Sequence, residues 1–252
     1  MVDEPPSKLE FTAVRKQLGQ RTVLDNLSLV VPAWGGMALV GESGSGKSTL
    51  LSLALGLLEP DAGHVTVFGE RLSAASARAL RQRIGYALQE TGLFPHLSVL
   101  DNLTLQGRLL GNDADELTSR ALLLAEQMHL DSEMLNRYPV ELSGGQQQRA
   151  GICRAMMLAP ELLLLDEPFS GLDVVTRSDI YDHFIALAND RQCSFLLVTH
   201  DLNEARRLCA TVAVLRDGEI VDHGPTERVI NDPQHAYVAR LVDAQRLHIA
   251  HG

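Results

Sequence analysis

Residues 41–49 combine the residue types that a phosphate-binding loop needs. They read G-E-S-G-S-G-K-S-T, follow the apolar residues 37–40 and precede a leucine-rich segment that begins at Leu50. Glycines allow successive backbone N–H groups to face a phosphate chain, and the following helix adds free N–H groups and the positive end of its dipole. Lys47 supplies a charge for the β- and γ-phosphates, and the Ser48 hydroxyl is a ligand for Mg²⁺. The pattern predicts a P-loop, and a flexible Gly/Ser loop before a helix is the simpler alternative.

Two adjacent carboxylates follow a fully apolar run. Residues 162–165 are all leucine, and Asp166 and Glu167 come directly after them. A continuous apolar run predicts a strand buried on both faces of a parallel sheet, and the P-loop lies at the carboxyl edge of such a sheet. Asp166 is therefore a candidate to hold Mg²⁺ or its water, and Glu167, expected on the other side of the strand, is a candidate general base for water attacking the γ-phosphate. A solvated acidic loop end is the alternative.

Residues 143–149 form a second glycine-rich helix start, S-G-G-Q-Q-Q-R, with a hydroxyl at the cap position. The N-terminus of this helix is a second candidate anion site, and an ordinary Ser143 N-cap beside two glycines is the alternative. His200 follows the apolar residues 195–199. It is either a satisfied capping side chain or, because its strand ends at the active edge, a contact to the γ-phosphate.

The elements that must position these residues follow from hydrophobic periodicity and turn residues. An antiparallel, strand-rich N-terminal part is predicted around the first βα unit, and a helical insertion follows it. The predicted strands are residues 9–14, 23–31, 37–40, 64–69, 84–89, 162–165, 195–199, 212–215 and 219–221. The predicted helical segments are 50–55, 76–82, 98–135 (broken at Gly107, Gly111 and Asn112), 143–158, 170–189, 204–208 and 225–246 (two short helices).

Composition narrows the class of protein. The 252 residues carry a formal net charge of −10, which argues against a broad nucleic-acid-binding face. No apolar run approaches the ~18–20 residues of a membrane span, and residues 1–6 lack the apolar segment of a signal peptide. Three scattered cysteines, without C-x-x-C spacing, fit a reducing compartment and buried side chains.

Taken together, the motifs resemble those of the ATP-binding subunit of an ABC transporter, over essentially the whole chain. The matches are residues 41–49 to Walker A, Gln89 to the Q-loop glutamine, residues 142–146 (L-S-G-G-Q) to the signature motif, residues 162–167 to Walker B, residues 170–173 to the D-loop and His200 to the switch histidine. The signature motif is the most specific of the six.

The resemblance implies an α/β P-loop NTPase of ABC type, with a mostly parallel core sheet, an N-terminal antiparallel β-subdomain and a helical subdomain. It implies one ABC ATPase domain over residues 1–252, in which about 1–92 and 159–252 form the core and about 93–158 form the helical subdomain. It also implies ATP and Mg²⁺ as cofactors. The implied catalytic residues are Glu167, His200 and Gln89; the implied nucleotide-binding residues are Leu18, Gly41, Glu42, Ser43, Gly44, Ser45, Gly46, Lys47, Ser48, Thr49, Ser143, Gly144, Gly145, Gln146 and Asp173; the implied metal ligands are Ser48, Gln89 and Asp166.

The resemblance further implies partners. Two ATPase subunits, identical or homologous, pair head to tail with ATP between Walker A of one and the signature of the other. Residues 94–96 (F-P-H) and the helices after them look like the surface that takes the coupling helix of a transmembrane permease subunit. The chain is similar to bacterial importer subunits for quaternary amines or amino acids, lying at the cytoplasmic face of the membrane beside a solute-binding protein, with no regulatory C-terminal domain. Export is the alternative direction.

One position departs from the family pattern. Leu18 occupies the place where an aromatic residue usually stacks on adenine, unless a shifted register brings Phe11 there. Base–aromatic stacking contributes ~1–3 kcal/mol per base, so leucine predicts weaker or less selective nucleotide binding. Two rival hypotheses remain: a soluble ABC-type ATPase acting on nucleic acid or ribosomes, and a nucleotide-binding module that no longer hydrolyses. The first usually carries coiled-coil insertions or two linked cassettes, and this sequence predicts neither.

Overall fold

The computed structural model describes residues 7–172 and 174–250, without the side chains of residues 174–176 and 247–250. The chain divides into two compact units: Met1–Arg81 with Ser194–Gly252, and Gln82–Cys193. The predicted division, with a helical subdomain at about 93–158, stays a prediction.

The described strands are β1 (Leu9–Leu18), β2 (Arg21–Val31), β3 (Gly35–Val40), β4 (Ala62–Val67), β5 (Glu70–Arg71), β6 (Ile84–Ala87), β7 (Leu162–Asp166), β8 (Ser194–Thr199), β9 (Thr211–Arg216) and β10 (Glu219–Pro225). The described α-helices are α1 (Lys47–Ala54), α2 (Ala77–Arg81), α3 (Val99–Leu109), α4 (Ala114–Gln127), α5 (Gly144–Met156), α6 (Val174–Asp190), α7 (Leu202–Leu208), α8 (Thr226–Asn231) and α9 (Ala236–Ala250). Two 3₁₀ helices, Ser132–Asn136 and Pro139–Glu141, lie between α4 and α5.

The first unit contains the predicted antiparallel sheet, in the order β2-β1-β4-β5. Strand β1 buries Leu9, Phe11 and Val14 on one face, and a register shift between Phe11 and Val14 leaves both Thr12 and Ala13 exposed. One buried face is typical of an antiparallel sheet that packs on a core. The hairpin between β1 and β2 is longer than predicted and ends where Leu18 pairs with Arg21.

The same unit contains a second group of strands in the order β10-β9-β3-β8. Strand β3 pairs in parallel with both β8 and β9, and β9 and β10 form the predicted antiparallel hairpin. Residues 37–40 of β3 are all buried, as the apolar run predicts for a central parallel strand. Val40 pairs with Thr199. The chain therefore leaves β3 into the P-loop and leaves β8 at His200 from the same edge.

The second unit joins one parallel strand pair to a group of helices. Strands β6 and β7 pair in parallel, with Ala87 opposite Leu165. Helices α3, α4 and α5 pack on one another, and a Cβ atom on Gly107 would lie 2.4 Å from Leu117 Cδ2. Glycine therefore lets α3 lie close to α4 here, and a larger residue would force the Leu117 side chain to shift. The segment predicted as helical over 98–135 is two α-helices and one 3₁₀ helix, interrupted at residues 110–113 and 128–131. The predicted break at Gly111 and Asn112 is confirmed, and the one at Gly107 is wrong because Gly107 lies within α3.

No helix in the described ranges has both the length and the apolar character that crossing a bilayer requires.

Candidate functional site

The P-loop lies between β3 and α1 in the first unit. Gly46 is the N-cap of α1 with φ +114°, a conformation open mainly to glycine, and it provides no side-chain cap. The first turn of α1 contains no acidic residue. The Ser45 hydroxyl is buried and has no hydrogen-bond partner among the described residues. An uncapped helix N-terminus beside an unsatisfied hydroxyl fits a phosphate group, which accepts hydrogen bonds and favours the positive end of the helix dipole.

Lys47 is buried within this loop, at 8% exposure. Its ammonium donates hydrogen bonds to the backbone carbonyls of Gly41, at 2.6 Å, and Glu42, at 2.8 Å. A Cβ atom on Gly41 would lie 2.4 Å from the carbonyl oxygen of Leu215, so the first residue of the loop must be glycine. The Lys47 ammonium is thus held by the carbonyl groups of its own loop. Ser43, Gly44 and Thr49 are the other residues of the predicted phosphate-binding stretch.

The position predicted to contact adenine is on the surface. Leu18 ends β1 and is 46% exposed, so an apolar contact with a base is sterically open to it. The alternative, Phe11, is wrong: its side chain is 2% exposed within the core of the first unit. His200 lies just after β8, and its backbone carbonyl accepts a hydrogen bond from Gln245 Nε2 at 2.6 Å.

In the second unit, Gln89 and Glu167 lie next to each other. Gln89 Nε2 donates to Glu167 Oε2 at 3.4 Å, a long hydrogen bond between two predicted catalytic residues. Strand β7 ends at Asp166, and Glu167 has φ +46°. Glu167 therefore lies in a left-handed turn just after the strand, and the side on which its carboxylate was predicted to lie stays a prediction. Such a conformation is costly for a residue other than glycine and is found often at functional sites.

Asp166 is the last residue of β7 and is half-buried. Burial of the phenol and the charge of Asp166 raise the pKa of Tyr86 to about 12, so Tyr86 is neutral at physiological pH. Among the described residues, no group of three or more His, Cys, Asp and Glu side chains is placed to hold a metal ion. A single carboxylate such as Asp166 still fits Mg²⁺, which takes much of its coordination from water and phosphate oxygens.

The signature helix α5 begins with a capping box. Ser143 Oγ accepts a hydrogen bond from the Gln146 backbone N–H at 3.3 Å, and Gln146 Oε1 accepts one from the Ser143 N–H at 2.9 Å. The ordinary N-cap interpretation of Ser143 thus describes the local structure. Gly144 and Gly145 form the first turn, and a Cβ atom on Gly144 would meet nothing within 4 Å. An exposed and unobstructed helix start is compatible with binding an anion from another molecule.

Sequence reasoning missed Gln148, which joins α5 to the turn after Glu167. Gln148 Oε1 accepts a hydrogen bond from the Gly171 N–H at 2.9 Å, and Gln148 Nε2 donates to Ser170 Oγ at 3.2 Å. The Ser170 hydroxyl donates to the Glu167 carbonyl at 3.0 Å. Only the position of Gln148 within the signature segment could have drawn attention to it. Asp173, predicted to bind nucleotide from this turn, lies outside the described residues.

Arg154, also on α5, anchors the loop after Gln89. Its guanidinium donates to the carbonyls of Thr91, at 3.0 Å, and Gly92, at 2.6 Å. Burial lowers the pKa of Arg154. One helix thus contacts both segments that carry Gln89 and Glu167.

Parallel strands that lead into a glycine-rich loop and an uncapped helix define a P-loop α/β fold. Residues 24–170 match the family model described as "ABC transporter", and the chain belongs to this family. The dimeric structure of a post-hydrolysis state of the ATP-binding cassette MJ0796 bound to ADP and Pi is similar to this chain at 30% identity and a TM-score of 0.79, covering 86% of this chain and 98% of that one. cbiO1 from Clostridium perfringens shares the fold, with a TM-score of 0.82 at 23% identity.

Curated relatives are similar over most of the chain. The glycine betaine/carnitine/choline transport ATP-binding protein OpuCA of Bacillus subtilis is 34% identical over 91% of this chain and 60% of its own length. The osmoprotectant import ATP-binding protein OsmV of Salmonella typhimurium is 36% identical over 92% of this chain and 61% of its own length. The ergothioneine transport ATP-binding protein EgtV of Helicobacter pylori is 44% identical over 75% of this chain and 87% of its own length. The chain thus spans about three fifths of the length of OpuCA and OsmV.

Proposed function

We propose that the chain binds ATP with Mg²⁺ and hydrolyses it to drive solute transport through separate membrane subunits. The observation that carries this proposal is the helix N-terminus at Gly46, which is uncapped and adjoins the buried, unsatisfied Ser45 hydroxyl. Backbone N–H groups aimed at one point favour a phosphate chain over any neutral ligand. The similarity to an ADP-bound cassette supports the same ligand class.

Each residue has a role that follows from its chemistry. Lys47, held near the loop carbonyls, would turn to the β- and γ-phosphates, and His200 would contact the γ-phosphate. Ser48, Asp166 and Gln89 would hold Mg²⁺, which when bound neutralises phosphate charge. Glu167 would accept a proton from the attacking water, and the hydrogen bond from Gln89 orients its carboxylate.

The signature helix is proposed to act on a second subunit. Ser143, Gly144, Gly145 and Gln146 form this helix start in the second unit, where Ser143 and Gly144 are exposed and Gly145 and Gln146 are half-buried. In a head-to-tail pair, this helix start would meet the γ-phosphate held by the other subunit, and its dipole would stabilise the closed pair until hydrolysis removes that phosphate. The dimeric cassette MJ0796 supports this arrangement.

The proposed solute is a small quaternary amine, imported together with permease subunits and a solute-binding protein at the cytoplasmic face of the membrane. The names of OpuCA and OsmV support this solute class, and that of EgtV extends it to ergothioneine. The exposed Phe94, at 44%, is proposed to contact the permease.

The test is capture of the tagged chain from detergent-solubilised membranes, followed by reconstitution of the captured complex in vesicles. We expect a permease to co-purify and labelled glycine betaine to cross the membrane only when ATP and Mg²⁺ are supplied. The matched control is Lys47→Ala, which should assemble but not transport. Capture of ribosomes or nucleic acid instead, with ATPase activity stimulated by RNA or DNA, would overturn the proposal.

A further inference from the structure

The second unit contains a cleft that takes no part in the proposed ATP chemistry. The cleft has a volume of about 430 Å³, and α4 and the segments that follow α5 and α6 line it. This volume lies in the range of small-molecule sites. Leu123 and Met157 give it an apolar wall, while Ser119, Arg120 and Arg191 give it a polar one. None of these residues belongs to the motifs that resemble the ABC family.

Both arginines have an unsatisfied nitrogen. The Nε atoms of Arg120 and Arg191 are buried, and neither has a hydrogen-bond partner in the described part of the chain. Arg120 Nη2 makes one long hydrogen bond, 3.4 Å, to the carbonyl oxygen of Met156. A guanidinium offers five N–H donors, and a buried donor without a partner costs free energy. The two arginines of the polar wall therefore each have a donor for which the described residues supply no acceptor.

The charges in the cleft are also unbalanced. Burial and the charge of Arg191 both lower the pKa of Arg120, so two partly buried positive charges act on each other. Glu116 lies one helical turn before Arg120 and lines the same cleft, yet the structure places no carboxylate of the described residues in an ion pair with either arginine. An anion between the two guanidinium groups would remove the repulsion and satisfy the donors together.

We propose that this cleft binds a small organic anion, whose single phosphate or carboxylate group bridges Arg120 and Arg191 and whose short apolar body packs on Leu123 and Met157. Arginine suits such a ligand because its planar fork matches both oxyanions. The apolar wall favours an anion with a hydrocarbon part over a bare inorganic ion. This site is independent of nucleotide hydrolysis and is tested without it.

The experiment is isothermal titration calorimetry on the full chain saturated with ADP and Mg²⁺, so that the P-loop does not take up the probe. The probes are monobutyl phosphate and butyrate, which distinguish the two headgroups, with n-butanol as the uncharged control. We expect at least one of the two anions to bind and n-butanol not to bind. Arg191→Gln, which keeps an amide donor but removes the charge, should weaken binding at least about tenfold.

Two further variants sharpen the test. Glu116→Gln removes the carboxylate on the cleft wall and should strengthen binding about two- to fivefold, an effect that a merely structural role would not produce. Arg137→Gln, an exposed arginine outside the cleft, should leave binding unchanged. Two results would overturn the proposal: no heat with either anion up to about 20 mM, a concentration that would nearly saturate a site with a Kd of about 1 mM, or equal affinity of wild type and Arg191→Gln.

Discussion

Gln148 accepts a hydrogen bond from the backbone N–H of Gly171 at 2.9 Å, across 23 residues of sequence. This bond, with the one that Gln148 donates to Ser170, fixes the signature helix α5 to the turn that follows Glu167. A Cβ atom on Gly171 would lie 2.9 Å from Gln148 Oε1, so the Gln148 side chain packs closely against the backbone of Gly171. The proposed catalytic base and the proposed second phosphate-binding element are therefore mechanically joined within one subunit.

Gln148→Ala removes both hydrogen bonds and leaves the Gly171 N–H without its acceptor. We expect a loss of ~1–3 kcal/mol of unfolding free energy, together with slower ATP turnover, because the turn after Glu167 loses its support. Gln148→Glu keeps the acceptor and should lie between the alanine variant and wild type. Thermal denaturation and phosphate release measure the two effects. Gln106→Ala, at an exposed position on α3, is the control, and an equal loss in that variant would contradict the prediction.

Glu167→Gln should leave ATP binding intact and abolish turnover. The amide keeps an oxygen that can accept the hydrogen bond from Gln89, but it cannot take a proton from water, so we expect hydrolysis to fall ~10²–10⁴-fold. ATP should then remain bound and hold two chains together. Phosphate release and light scattering after size-exclusion chromatography, each with ATP and Mg²⁺, check both results. Wild-type turnover would remove Glu167 from its proposed role, and a strictly monomeric variant would refute the head-to-tail pair.

Two glycine-to-alanine changes should differ in stability although both fall in proposed phosphate-binding helix starts. Gly46 has φ +114°, and a Cβ atom there would lie 2.8 Å from Leu24 Cδ2, so Gly46→Ala should cost ~1–3 kcal/mol. Gly144 lies in the first turn of α5 with open space around it, so Gly144→Ala should be neutral or stabilise by up to ~1 kcal/mol. Chemical denaturation of both variants decides this. Equal destabilisation would show that the P-loop geometry is not the cause.

Low pH should reduce the free energy of unfolding, in part because Asp101 takes up a proton. Its carboxylate accepts a hydrogen bond from Ser98 Oγ at 2.7 Å and pairs with Arg108 at 3.0 Å. The Ser98 hydrogen bond and the Arg108 charge lower the pKa of Asp101 from its usual 3.8. A depressed folded-state pKa contributes stability that is present above the unfolded value and is lost as pH falls through the folded one.

The wild type should therefore lose stability relative to Asp101→Asn as pH falls from about 5 to below 3, because only the wild type has this proton to take up. Melting temperatures across that range measure the difference. Asp131→Asn is the control, since the Asp131 side chain makes no capping hydrogen bond. A constant gap between wild type and Asp101→Asn at every pH would contradict the assignment.

Much of the fold follows from local sequence patterns. Four leucines at 162–165 predict β7 because no polar residue interrupts them, and Ser143 predicts the start of α5 because its hydroxyl reaches Gln146. The end of β1 was not predictable, since residues 15–17 are polar, Leu18 is exposed, and pairing with β2 holds them in the strand. The roles of Gln148 and Arg154 depend on contacts between distant residues, which periodicity does not record. The left-handed backbone of Glu167 likewise arises from the turn around it.

The three cysteines lie inside the protein, and burial raises the pKa of Cys153 to about 12 and that of Cys209 well above its usual value. Thiols that stay protonated and sheltered react slowly with maleimides and disulfide reagents. A cysteine introduced at the surface, as in Ser143→Cys, would thus be labelled ahead of the native ones. Fluorescent reporters and subunit cross-links can therefore be attached to a single introduced cysteine while the three native cysteines stay in place.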